Sequence, residues 1–327
     1  MIFRRPCYYD DFICSADKCS DNCCIGWEIC IDSETSEKYR STKGDFGKRL
    51  CSSIDFGDEP SFILKGERCP FLNEKNLCDI IINMGEENLC QICRDHPRYF
   101  EWYGNTKEGG IGLSCEEGAR LILTDGCYGD YYESETDEAA DEDFDQEAFS
   151  LLFSVRERIF DILSDLSLPV EARFSEILSL VDATEAMMGS QIPERVMWEF
   201  SFKDELKGII SVLEKTEPID EKWTEQLINL RKSVKDIPDI SLSKEEEKYA
   251  ERLVAYFVWR YFLKSVFDGC LTEKIRFALF SVTTIFALYR SQGEGFETLL
   301  RSAVLYSKQM EYSDENLDIF YDSLNRD

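Results

Sequence analysis

Thirteen of the chain's 14 cysteines fall between Cys7 and Cys127, and the last is Cys270. Nothing else narrows the folding options as far, because that many thiols must be paired, bound to metal or packed as small hydrophobes. The opening "MIFRRPCYYDDFIC" carries Arg4 and Arg5 but no apolar run after them, so it does not read as a secretory signal. A cytoplasmic location is therefore expected. Structural disulfides are rare in that compartment, so metal or redox roles are the expectation for the cysteines, and a secreted disulfide protein is the disfavoured reading.

The spacing supports metal. Cys14, Cys19, Cys23 and Cys24 form C-x4-C-x3-C-C, followed by C-x8-C at Cys69 and Cys78, C-x2-C at Cys90 and Cys93, and then Cys115. Thiolates two to four residues apart can face one ion across a tight turn. Zinc and an iron–sulfur cluster both satisfy this spacing. Cys23 and Cys24 are adjacent and project in different directions, so one is expected to ligate while the other is buried, redox-active or in a second site. Cys7, Cys30, Cys51, Cys127 and Cys270 lie outside the pattern and are not assigned as ligands. The chain has no C-x3-C-x2-C triplet, no dinucleotide-binding fingerprint and no Walker loop, and His96 is its only histidine.

The expected fold class is mainly α, with an irregular cysteine-rich metal-binding N-terminal domain followed by an α-helical bundle. The boundaries read 1–132 for the cysteine-rich domain, 133–147 for an acidic linker and 148–327 for the helical domain. "YESETDEAADEDFDQE", from Tyr132 to Glu147, has little to bury and suits a solvated linker. Beyond it, Phe149, Leu152, Phe153, Ile159, Phe160 and Leu163 recur at helical spacing. Further helices are expected from Val170, Pro193, Glu221, Lys244, Leu271 and Phe296, with Pro169, Pro193, Pro218 and Pro238 at their edges. Lys244 to Phe267 is apolar almost all round after an acidic start, which marks it as the central helix. The N-terminal third has few periodic apolar residues and is expected to need metal to hold it together.

Acidic residues number 65 against 37 basic ones, a formal net charge of -28. That balance argues against nucleic acid and anionic membrane as main partners and favours a basic protein or a cationic side chain. The longest uncharged apolar stretch, Phe277 to Tyr289, is shorter than the roughly 20 residues that a spanning helix needs. Nothing in the sequence fixes the oligomeric state.

Taken together, "C-x4-C-x3-CC-x-GW" at Cys14 to Trp27, "CPFLNEKNLCDI" at Cys69 to Ile80, "LCQICRDHPR" at Leu89 to Arg98 and "LSCEEGARLIL" at Leu113 to Leu123 resemble the flagellin lysine-N-methylase family. Part of the pattern is also similar to a broader group of zinc- or iron-chelating cysteine domains. The resemblance covers roughly the first 125 residues. It implies methylation of lysine ε-amino groups on flagellin or a similar protein, with S-adenosylmethionine as donor and an associated 4Fe-4S cluster, zinc being the alternative metal. It also implies that Cys14, Cys19, Cys23, Cys24, Cys69, Cys78, Cys90, Cys93 and Cys115 are the metal-site cysteines. Trp27, Arg98 and Arg120 are candidates for S-adenosylmethionine: the indole could stack on it, and the guanidinium groups could bind its carboxylate. No residue stands out as catalytic. The chain departs from the family at His96, where tyrosine is usual, and at Glu116, where proline is usual. A non-enzymatic zinc- or iron-binding interaction module is the alternative from another class.

Overall fold

The computed structural model describes residues 1–20, 22–26, 29–66, 68–141, 143–189, 197–219, 221–233 and 240–324. It is mainly helical with a small sheet. The strands are β1 (Ile2–Pro6), β2 (Ile54–Asp55), β3 (Ser61–Phe62), β4 (Arg98–Tyr103), β5 (Thr106–Ile111) and β6 (Tyr131–Glu135). The helices are α1 (Ser33–Ser41), α2 (Gly44–Ser52), α3 (Asp79–Met84), α4 (Gln91–Asp95), α5 (Glu116–Asp125), α6 (Gln146–Ser164) and α7 (Val170–Met188). They continue with α8 (Phe202–Leu213), α9 (Glu221–Ser233), α10 (Lys244–Tyr261), α11 (Ser265–Asp268), α12 (Leu271–Gln292), α13 (Phe296–Glu311) and α14 (Asp314–Leu324).

The chain divides into two compact units, and the division is not the expected one. The helical unit comprises Met1–Phe12, Phe100–Ser114 and Gly118–Asp327, and the cysteine-rich unit comprises Ile13–Tyr99 with Cys115–Glu117. Sheet pairing explains the difference. The four-stranded sheet has the order β4-β5-β1-β6, with β1 parallel to β5 and antiparallel to β6. Parallel neighbours need a long crossover, and here the whole segment from Ile13 to Tyr99 lies within it. The expected linker is also corrected at its start, because Glu133, Ser134 and Glu135 pair with Arg4, Phe3 and Ile2 in the sheet. Acidic composition hid a strand whose outward side chains meet basic ones, as Glu133 does with Arg4 at 2.7 Å.

Helix starts in the helical unit follow local chemistry. Asp145 caps α6 by accepting from the Ala148 N–H, and Ser243 and Glu246 form a capping box on α10. The expected starts at Val170, Glu221, Lys244, Leu271 and Phe296 are where helices begin. Pro193 and Pro238 lie outside the described residues. The central helix is α12, not the Lys244–Phe267 segment. It packs against α7, α8, α9, α10, α13 and α14, and every residue from Phe277 to Tyr289 is buried. α10 stops at Tyr261 and lies alongside it, with Phe257 and Tyr261 edge-on to Phe277.

Among the described residues of this unit three carboxylates are buried, each with a cationic partner. Arg156 grips Glu108 through two bonds of 2.6 Å, Arg173 pairs with Glu251, and Arg260 pairs with Glu311. Tyr256 and Tyr261 also donate to Glu311. Cys7 and Cys127, expected as thiols, are disulfide-bonded across a sequence separation of 120 residues. No helix among the described residues is long and apolar enough to cross a membrane.

The cysteine-rich unit has an apolar core of its own. Tyr39, Leu50, Ile54, Phe62, Phe71 and Leu89 are buried together, with Phe62 edge-on to Phe71 at 5.2 Å. The region thus has apolar packing beside whatever a bound metal would add. Its core residues come from turns, two-residue strands and short helices, so they show no period along the sequence.

Candidate metal centre

Cys69 and Cys90 belong to this core, and Cys24, Cys78 and Cys93 pack against it. Five of the nine cysteines singled out by spacing thus meet at one core, close enough to feel one another's charge; they are called the thiol wall below. Local sequence explains how each arrives. In "CPFLNEKNLCD" the Asn73 side chain accepts from the N–H groups of Lys75 and Leu77, and Asn76 takes a left-handed conformation at φ 57°. That turn pairs Leu72 with Cys78 and so folds Cys78 back beside Cys69. Arg49 then fastens the loop, binding Asp79 at 2.7 Å and the Pro70 carbonyl at 2.7 Å.

Asp32 fixes the next pair. One of its oxygens accepts from the Thr35 N–H at 2.9 Å and caps α1; the other accepts from the Gln91 N–H at 2.8 Å, at the start of α4. Burial works against the Asp32 charge, but the hydrogen bonds from Gln91 and Thr35 outweigh it and hold the carboxyl below its usual range. Cys90 sits at the cap position of α4 and Cys93 one turn inside. The first limb joins through the backbone, where the Cys69 N–H donates to the Cys24 carbonyl at 2.9 Å.

The sulfurs hydrogen-bond in pairs. In such a pair one sulfur donates as thiol and the other accepts as thiolate. The bond from Cys93 pulls Cys90 down, and the same bond, with burial, pushes Cys93 up. The bond from Cys24 likewise draws Cys23 down to about 4, against burial, with His96 adding a hydrogen bond and its charge. Cys24 moves up in turn. Burial pushes Cys69 up to about 11 and raises Cys78 as well. Neighbouring thiolates add to the rise at Cys24, Cys69, Cys78 and Cys93.

The remaining site residues make other contacts. Cys14 is exposed, and its sulfur accepts from the Ala16 N–H. Cys19 reaches Glu116 at 3.6 Å, and the Glu116 carboxylate also holds the Ser20 N–H and hydroxyl at 2.8 and 2.6 Å. The segment Cys115–Glu117 therefore belongs to this unit although its neighbours on both sides do not. Arg98 lies in the cysteine-rich unit, at the start of β4. Arg120 lies in the helical unit, where it binds Glu297 at 2.9 and 3.3 Å. Trp27 lies outside the described residues. A cavity in the helical unit beside Tyr8, Phe160, Arg252 and Trp259 has a volume of about 10 Å³, room for about one water and far too little for a nucleoside cofactor.

Spacing alone missed Asp32, Glu116 and His96 as organisers of this unit. Glu116 and His96 were visible as departures from the family pattern, whereas Asp32 carried no signal. Among the described residues no group of three or more His, Cys, Asp or Glu side chains is arranged to hold a metal ion. The donor set itself is all sulfur and partly shielded from water, the chemistry that zinc and iron–sulfur clusters select.

Comparison with known proteins agrees with the cysteine pattern. The chain is 30% identical over 133 residues to the flagellar biosynthetic protein FliU of Salmonella muenchen, a match covering 38% of this chain and 79% of FliU. This chain belongs to the flagellin lysine-N-methylase family. Two proteins named lysine-N-methylase, from Salmonella choleraesuis and Salmonella typhimurium, are each 29% identical over 133 residues. The match spans only 33% of either methylase. No protein-family model and no solved structure matches the chain.

Proposed function

We propose that this protein is a cytoplasmic methyltransferase that acts on lysine ε-amino groups of flagellin or a similar lysine-bearing protein, with S-adenosylmethionine as methyl donor. The observation that carries the reading is family membership with proteins named lysine-N-methylase. The net charge of -28 favours the approach of lysine-rich surfaces. Lysine must lose a proton before its nitrogen can attack a methyl group, so a base is required.

We assign Cys24, Cys69, Cys78, Cys90 and Cys93 as the ligand pool of a thiolate-bound metal centre, a 4Fe-4S cluster in preference to zinc. Four of the five suffice for either. Bound there, a cluster would supply redox capacity and zinc a structural tie. The apolar core behind the thiols shields them from water, and the Asn73 turn and the Asp32 caps orient them. Arg98 and Trp27 stay candidates for binding the donor, while Arg120 would first have to give up Glu297.

Incubation of metal-loaded protein with flagellin and S-adenosylmethionine, followed by mass spectrometry of the flagellin peptides, tests the reading. Methyl increments on lysine are expected. Their repeated absence with a full complement of metal would overturn the activity and leave a metal-binding interaction module.

A further inference from the structure

One face of the sheet in the helical unit holds a lysine in an aromatic enclosure. Phe100 and Trp102 are two residues apart on β4, so their side chains share a face. Phe3 on β1 stands opposite Lys107 on β5 in the parallel register. The Lys107 ammonium lies 4.5 Å from the Phe100 ring centre, 4.8 Å from that of Trp102 and 6.0 Å from that of Phe3. Glu138 completes the set: one oxygen pairs with Lys107, and the other accepts from the Trp102 indole N–H at 2.8 Å. The segment carrying Glu138 is tied to the sheet by the Thr136 N–H, which donates to the Met1 carbonyl.

The floor of this enclosure depends on Gly109, two residues along β5 from Lys107. A Cβ at that position would lie 2.8 Å from the Phe3 ring and 3.2 Å from Phe100, so only glycine lets the two rings close over the strand. Exposure also distinguishes walls from occupant. The Lys107 side chain is 15% exposed, while Glu138 is 42% and Trp102 49% exposed. The enclosure therefore opens to solvent at its rim and is filled by the chain's own ammonium.

We propose that Phe3, Phe100, Trp102 and Glu138 form a binding site for lysine-type ammonium groups, methylated ones above all, of which Lys107 is the tethered occupant. Aromatic faces attract a cation through the ring quadrupole, and the carboxylate supplies a counter-charge. A primary ammonium keeps three N–H donors that prefer oxygen, and the rings offer none. Methyl groups in place of those hydrogens give up the N–H bond to Glu138 but keep the charge opposite it and gain contact area on the three rings. Lys107 holds the site through its local concentration, which a covalent tether brings to the millimolar range or above. The external ligand is a methylated lysine side chain on a protein. The inference rests on this geometry and stands or falls apart from the methyltransferase reading.

Titration of the full chain with Nα-acetyl-trimethyllysine amide, followed by calorimetry, tests it. Lys107→Ala should bind at least tenfold more tightly than wild type, and Lys107→Ala with Trp102→Ala should lose that gain. Equal affinity in wild type and Lys107→Ala, or a gain that survives loss of Trp102, would overturn it. A second measurement uses wild-type protein and needs no added ligand. Reductive methylation with ¹³C-formaldehyde should give a dimethyl-lysine signal for Lys107, assigned by its loss in Lys107→Ala, that is shifted upfield by ring currents and moves back towards the ordinary position in Trp102→Ala. An unshifted Lys107 signal would show that no such enclosure exists.

Discussion

Asp32→Ala should open the thiol wall without touching a thiol. The Asp32 carboxylate accepts one N–H at the start of α1 and one at the start of α4, at 2.9 and 2.8 Å. Each lost cap costs about 1 kcal/mol, so the variant loses about 2 kcal/mol of local stability. Cys90 is fully buried and can react only after the segment opens. An opening easier by about 2 kcal/mol should raise its labelling rate about 30-fold. The Asp32 charge also disfavours the Cys90 thiolate, so its removal acts in the same direction. Asp32→Asn separates the two contributions, since it removes the charge but keeps one acceptor. The assay is maleimide labelling of reduced, metal-free full-length protein, with Cys90 followed by peptide mass spectrometry. Wild-type labelling of Cys90 in Asp32→Ala would refute the view that this carboxylate holds α4 in place.

In the helical unit, Arg156→Ala leaves Glu108 buried without a partner and should cost about 3 to 5 kcal/mol in urea unfolding. Adding Glu108→Gln should recover part of the loss, and a small cost for the single variant would contradict the pairing. Glu246 bears on acid stability: burial opposes its charge, but Arg290 and Ser243 hold the folded carboxyl at about 2. The folded value lies below the unfolded one, so the stability it contributes is present above about pH 4.3 and lost as pH falls towards 2. The amount is on the order of 2 kcal/mol after allowance for solvent screening. Urea midpoints should fall less on acidification in Glu246→Gln than in wild type, and parallel curves would count against the assignment.

The sequence exposed features that leave a local mark. Apolar spacing located α6, α7, α9, α10, α12 and α13, which bury one face or, for α12, all faces, but not α8 or α14. Cysteine spacing drew attention to all five thiols now found on one wall. What escaped was decided by pairing across long separations. β6 looked like linker because strand pairing with Ile2 to Pro6 leaves no periodic signal in an acidic segment. The core around Phe62 and Phe71 was hidden because its residues come from irregular turns. The role of Asp32 depends on Gln91, 59 residues away, and no local pattern announces such a contact. Nothing in the local sequence marks Lys107 either, since β1, β4 and β5 together bring three rings around it.

Metal analysis of anaerobically purified cysteine variants bears most directly on the thiol wall as the metal centre. Wild-type protein should carry iron and sulfide and absorb broadly near about 400 nm. The double variant Cys69→Ser with Cys90→Ser leaves three of the five thiols and should lose most of that metal, while Cys30→Ser and Cys51→Ser should keep it. Full metal in the double variant, or its loss in Cys30→Ser or Cys51→Ser, would contradict the assignment of the centre to Cys24, Cys69, Cys78, Cys90 and Cys93.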